Sequence, residues 1–179
     1  MGTVTRRRIV ASLALCAFTI VPSTGRASTV TYGPPYQIAS QGGDEFNIIE
    51  ADPATGEMTV LRVYPFGINN GLGCSGEGGF ANFQVVHAAA TPVKVVTVTY
   101  DGSLIDPYSW INVGVRQGGG FITSVAVRGP IAGTGDVALT MPPGVVGPVS
   151  IWFGIQVSSA CPNVDGGHAV FTSVGVTGA

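Results

Sequence analysis

Charge is scarce in this chain. Only 10% of its 179 residues are charged, and Lys and Arg together number eight. Arg6, Arg7, Arg8 and Arg26 lie in the first segment, so the remainder holds only Arg62, Lys94, Arg116 and Arg128. Those four cations stand against ten acids, a net charge of −6 from Ser28 onward. Four scattered cations do not build the basic footprint that a phosphate backbone requires. Nucleic acid and anionic membrane surfaces are therefore poor partners. Histidine is scarcer still, with only His87 and His168. A zinc site would have to be completed by carboxylates.

Long apolar runs are missing as well. The longest, Ile9 to Val21, has about 13 residues, and a spanning helix needs roughly 20. It follows Arg6-Arg7-Arg8 and is broken by Pro22, Ser23, Thr24 and Gly25. That is the pattern of a signal peptide, with small residues at Gly25 and Ala27 placing cleavage after Ala27. Thr5-Arg6-Arg7-Arg8-Ile9 also fits a twin-arginine signal, so the export route stays open. Leu13-Ala14-Leu15-Cys16 departs from a lipobox at Leu15, where a small residue is expected. The expected organisation is a cleaved leader, 1–27, and one secreted, extracellular domain, 28–179, with no membrane span. A domain of that length can bury a sizeable core.

Three cysteines are present, and Cys16 leaves with the leader. An exported chain with the remaining pair, Cys74 and Cys161, is expected to form a disulfide. Closing a loop of that size contributes roughly 4–5 kcal/mol in the chain-entropy model.

Helical periodicity is missing too; no capped window carries apolar residues at i, i+3, i+4 and i+7. What is present is a series of short β-branched runs separated by Gly, Pro and Asp. Ten candidate strands are Tyr36–Ala39, Glu45–Ile49, Glu57–Tyr64, Phe80–Ala88, Val93–Tyr100, Trp110–Arg116, Phe121–Arg128, Gly135–Met141, Pro148–Val157 and Ala169–Val176. Expected turns include Asp52-Pro53-Ala54-Thr55-Gly56, Asp101-Gly102, Gly118-Gly119-Gly120 and Pro142-Pro143-Gly144. The expected fold is all-β: an antiparallel β-sandwich of about 8–10 strands, jelly-roll or Greek-key-like, with one disulfide. Ser28 to Gly43 reads as the most loosely held part. Over Gly79 to Gly178 the strand-rich layout resembles, in pattern only, the jelly-roll, galactose-binding-like modules that bind carbohydrate. No diagnostic motif accompanies that resemblance.

Period-two alternation assigns strand faces. Ile111, Val113 and Val115 share the inner face of one strand, and Ile151, Phe153, Ile155 and Val157 that of another. Both tryptophans fall on the opposite, outer faces. Trp110, Asn112, Arg116, Trp152 and Gln156 are candidate ligand-binding residues, with Tyr108 at the edge. An indole stacks on the C–H face of a sugar ring while amide and guanidinium groups bond its hydroxyls. The competing reading is that other segments cover these tryptophans as a second packing layer.

A second constellation depends on the disulfide. It draws Ser75 and Glu77 towards Asn163, Asp165 and His168. Ser75, Asp165 and His168 are weak candidates for a hydrolytic triad. Glu77, Asn163 and Asp165 are weak candidates for Ca²⁺ ligands. The plainer reading is a hydrogen-bonded loop pair beside a staple. Asp44, Glu45, Asp101 and Asp106 read as turn formers rather than as the facing acids of a glycosidase. His87 alternates with Phe83 and Val85 and reads as a core or edge histidine.

The glycine-rich segment Gly71-Leu72-Gly73-Cys74-Ser75-Gly76-Glu77 matches G-x-G-x-x-G by spacing alone. A strand-like run, Phe80 to Val86, follows it where a dinucleotide site needs a helix. It also carries Glu77 where a nucleophile elbow needs glycine. The expected function is a non-enzymatic module binding carbohydrate or another cell-surface component. The alternatives are a structural envelope or extracellular protein that packs against itself and a small secreted serine hydrolase.

Overall fold

The structure, a computed structural model, describes residues 27–43, 47–62, 78–104, 109–157 and 167–178. Every regular element among them is a strand. In chain order they are β1 (Thr29–Tyr32), β2 (Gln37–Gly42), β3 (Asn47–Asp52), β4 (Glu57–Arg62), β5 (Gly79–His87) and β6 (Val93–Leu104). Then come β7 (Ser109–Gln117), β8 (Gly120–Arg128), β9 (Ile131–Thr140), β10 (Val149–Val157) and β11 (Gly167–Gly178). They form an antiparallel two-sheet sandwich. One sheet runs β3-β4-β11-β6-β9 with β1 also on β11; the other runs β2-β5-β10-β7-β8. No helix of the described residues is long and apolar enough to cross a membrane.

Alternating side chains make the sandwich. In β5, β7 and β10 every second residue is buried: Ala81, Phe83 and Val85; Ile111, Val113 and Val115; Ile151, Phe153 and Ile155. Met58, Val96, Val98, Phe171 and Val174 meet them from the other sheet. The expected inward faces of the Trp110 and Ser150 strands are the observed ones. Aromatic rings fill the centre: Phe153 lies 5.0 Å from Tyr36 and 5.2 Å from Phe171, both edge-on. Burial pushes the Tyr36 hydroxyl up to about 12, because the phenolate would be desolvated. That hydroxyl has no hydrogen-bond partner among the described residues. His87 is buried and its Nδ1 lies 2.8 Å from the Tyr32 hydroxyl.

Three expectations are corrected. The described strands number eleven rather than 8–10. Ser28 to Gly43 is not a loose lead-in, because its backbone completes both sheets: β1 pairs with Val174 to Thr177 of β11, and β2 pairs with β5. The edge of β11 is thereby shared, its first residues taken by β4 and its last by β1. Asp101-Gly102 is not a turn. It lies inside β6, bonded between Val170 and Ala169 of β11 and Thr134 and Gly133 of β9. An added Cβ on Gly102 would sit 3.3 Å from the Ala169 Cβ, so that glycine serves close strand packing.

The Asp52 turn is as expected. Asp52 accepts from the Ala54 amide at 2.9 Å and from the Thr55 hydroxyl at 3.0 Å. Gly56 takes φ +78° there, and a Cβ would lie 2.5 Å from the Phe171 carbonyl oxygen.

Candidate functional site

The β7 and β10 strands are neighbours, paired antiparallel from Ser109↔Val157 to Arg116↔Ser150. Directly opposed residues project to the same side of a sheet. The candidate residues left separate by their sequence positions therefore share one outer face. Its rows are Trp110 with Gln156, Asn112 with Gly154, Gly114 with Trp152, and Arg116 with Ser150. The β8 strand extends these rows with Arg128, Ala126, Ser124 and Phe121. The β5 strand extends them on the other side with Phe80, Asn82, Gln84 and Val86.

A cleft of about 450 Å³ opens on this face, walled by Phe80, Phe121 and Trp152 and carrying the amides of Asn82, Asn112 and Gln156. Ligand pockets commonly hold about 300–1,000 Å³, so the hollow is large enough for a small ligand or one stretch of a polymer. A second hollow of about 360 Å³, beside Arg116, Gln84 and Pro148, lies on the other side of Trp152, which lines both.

Glycine shapes the floor. Gly114 stands opposite Trp152, and an added Cβ would lie 2.5 Å from Cε1 of Phe121. The absent side chain lets the Phe121 ring lie down across β7. There Phe121 meets Trp152 edge-on, with ring centres 6.4 Å apart. Gly154 lies so close to the β5 backbone at Ala81 that no side chain fits without moving a strand.

Polar groups hold the walls in place. The guanidinium carbon of Arg116 is 4.5 Å from the Trp152 ring centre and 4.9 Å from that of Phe121. Its Nη2 donates to the Gly119 carbonyl at 2.7 Å. Trp152 is therefore not the bare ring that the glycine neighbours suggest; a cation lies against it. The indole Nε1 donates to Ser150 Oγ at 3.0 Å, which reaches Gln84 at 3.4 Å, and Gln84 bonds Gln37 at 3.2 Å. Asn112 Nδ2 donates to Gln156 Oε1 at 3.1 Å. That bond occupies one donor and one acceptor. The pair still offers the Asn112 carbonyl oxygen as acceptor and the Gln156 amide nitrogen as donor.

Trp110 shares the face but not the cleft. It is offset from Trp152 by four residues, about 13 Å along the strands. Among the cleft-lining residues, sequence reasoning missed Phe121, Phe80 and Asn82. The turn Gly118-Gly119-Gly120 was the available signal for Phe121, since a tight β7–β8 hairpin must bring it across from Arg116. The register slip between Val115 and Arg116 put it there one position away from simple counting.

Cys74, Cys161, Ser75, Glu77, Tyr108, Asn163 and Asp165, with residues 1–26, lie outside the described residues. So do Asp44, Glu45 and Asp106. His168 is described: it is exposed on β11 between Thr59 and Ser103, in the six-stranded sheet, on the opposite side from the cleft. Among the described residues no group of three or more His, Cys, Asp or Glu side chains comes together to hold a metal ion.

No protein-family model and no curated protein matches the sequence. Among solved structures, the enzymatically active domain of bacteriophage CBA120 tailspike protein 4 is similar at 16% identity and TM-score 0.40 over 86% of this chain. The chain spans only 19% of that tailspike chain. TmCBM61 in complex with β-1,4-galactotriose is similar at 12% identity and TM-score 0.35, over 78% of this chain and 83% of that one. A CBM4 structure is similar at 11% identity and TM-score 0.35, over 84% and 85%. What the cleft can do follows from this chain's own residues.

Proposed function

We propose that this protein is a non-enzymatic β-sandwich module that binds a glycan across the outer face of β5, β10, β7 and β8. The observation that carries the reading is the cleft in which aromatic walls flank the Asn112–Gln156 amide pair. Sugars are amphipathic in the same way: C–H faces suit Trp152, Phe121 and Phe80, and hydroxyls need adjacent donors and acceptors. The walls are set before any ligand arrives, through Arg116, Ser150 and Gln84, which lowers the ordering cost of binding. Trp110 lies on the same face beyond the cleft and extends the platform for a longer chain.

Secretion and a Cys74–Cys161 staple belong to this reading; the charged n-region, the short apolar run and the even cysteine count after Ala27 support them. A jelly-roll winding belongs to it too. In its support, β4 to β11 interleave as β4-β11-β6-β9 and β5-β10-β7-β8, the order expected of two nested Greek keys. A structural protein assembling with copies of itself is the rival. It is favoured by the edge strand β8, where Phe121 is 58% and Val125 38% exposed.

A glycan array probed with the wild-type protein and with Trp152→Ala tests the proposal. The expected result is retention of a set of glycans by the wild type, lost or weakened at least roughly tenfold in the variant, or about 1.4 kcal/mol. A blank array together with concentration-dependent self-assembly favours the structural reading instead.

A further inference from the structure

Among the described residues, the acids are confined to one outer surface of the sandwich. The described acids Glu50, Asp52, Glu57, Asp101 and Asp136 all lie on β3, β4, β6 and β9, and all are at least partly exposed. Those strands belong to the six-stranded sheet. The rows of the cleft face contain no described carboxylate, but they contain two of the chain's few cations. Arg116 closes the row beside Ser150, and Arg128 stands opposite Trp110 at the other end of the face. Among the described residues, the cleft face of this chain, whose net charge is −6 from Ser28 onward, thus carries cations and no carboxylate.

We infer that the ligand of this face is an anionic polysaccharide, bearing carboxylate or sulfate groups along its length. The inference rests on the glycan-binding reading above and narrows its substrate class. Packed sheets are about 10 Å apart, and the acids project from the far side. The Debye length is about 8 Å at physiological ionic strength. The described acids are therefore screened from a ligand on the cleft face, and among the described residues the local arginines set the sign it meets. The two arginines are six positions apart along the strands, about 20 Å. A single extended polymer lying along the face can reach both.

Arg116 is prepared for the task. Its contacts with the Trp152 and Phe121 rings and the bond to Gly119 hold the group in place while engaging one of its five N–H donors among the described residues. Its Nε is buried, so a guanidinium held in this way meets an oxyanion through its Nη groups. Arg128 is exposed at the Trp110 end and supplies a second, looser contact.

The test compares charged polymers with neutral counterparts: polygalacturonate against its methyl ester, dextran sulfate against dextran, and carboxymethylcellulose against hydroxyethylcellulose. Affinity electrophoresis of the full chain gives the constants. At least one charged member is expected to bind tenfold or more tightly than its counterpart, and to weaken as salt is raised. Arg128→Gln, an exposed change that leaves the core untouched, is expected to weaken that binding at least threefold, and Lys94→Gln on the opposite sheet to leave it unchanged. Neutral polymers bound as tightly as their charged counterparts overturn the inference and leave the glycan reading standing. So does charged binding that Lys94→Gln weakens as much as Arg128→Gln, since attraction is then diffuse. No polymer bound, together with a blank glycan array, overturns both.

Discussion

The guanidinium carbon of Arg116 lies 4.5 Å from the centre of the Trp152 ring and 4.9 Å from that of Phe121, and the two rings stand at 80° to each other beside it. Three side chains from three strands thus fix one another at the edge of the cleft. Cation–π contacts of this kind contribute about 0.5–2 kcal/mol, depending on desolvation. Lysine keeps the charge but lacks the guanidinium that touches both rings while reaching Gly119. Arg116→Lys is therefore expected to lower thermal stability by about 1 kcal/mol and to shift the Trp152 fluorescence towards the red. Fluorescence and thermal unfolding of the variant check both.

Gly114 controls a different part of the same wall. A methyl group there would press on Cε1 and Cδ1 of Phe121, at 2.5 and 2.9 Å. Phe121 is 58% exposed and can swing aside, so the fold should tolerate the change. Gly114 is itself buried beneath that ring, and Gly114→Ala is expected to cost about 1 kcal/mol in stability, the displacement of one movable side chain. It should nevertheless weaken ligand binding several-fold, because the wall formed by Phe121 moves. Equal loss of stability and binding would point to a purely structural glycine.

Much of this arrangement was legible in the sequence, and the reasons are physical. Alternation in Ile111-Asn112-Val113-Gly114-Val115 and in Ile151-Trp152-Phe153-Gly154-Ile155 records which side of a strand meets the core, so faces could be assigned residue by residue. Adjacency could not, because β7 and β10 are separated by β8 and β9, and strand order depends on long-range pairing that no local pattern encodes. Asp101-Gly102 misled for a related reason: a glycine demanded by close approach to Ala169 has the same local signature as a glycine demanded by a turn. Strand β1 was missed because Thr29–Tyr32 is almost wholly exposed and held by backbone pairing with β11, which leaves little apolar signal. Arg116 was identified as polar and outward, but its place against two rings required the β7–β8 register.

Gly56 tests the fold independently of the ligand. Its φ of +78° is a conformation that side chains adopt at a cost of about 1–2 kcal/mol. A Cβ there would also press on the Phe171 carbonyl at 2.5 Å and the Tyr36 ring at 3.0 Å. Gly56→Ala is expected to destabilise the protein by about 2 kcal/mol or more, measured by denaturant unfolding. A loss below about 0.5 kcal/mol would show that the turn at Asp52 is not held as described.

Tyr36 gives a pH dependence with a definite sign. Burial raises its hydroxyl from 10.0 to about 12. Above pH 10 the unfolded chain releases this proton more readily than the folded one, so stability falls as pH rises from 10 towards 12. The contribution is complete below pH 10. Removing the unpartnered hydroxyl in Tyr36→Phe is expected to be neutral or stabilising by about 1 kcal/mol at neutral pH. It should also flatten the alkaline loss relative to wild type. Unfolding curves at a series of alkaline pH values compare the two slopes.

The glycan-binding claim is tested most directly by following the side-chain amide signals of Asn112 and Gln156 and the indole signals of Trp110 and Trp152 by NMR. The protein is titrated with a glycan retained on the array. The account predicts that the Asn112, Gln156 and Trp152 signals shift together in a saturable way, with Trp110 joining only for longer chains. Shifts confined to the six-stranded sheet, with these signals unmoved at saturation, would contradict it.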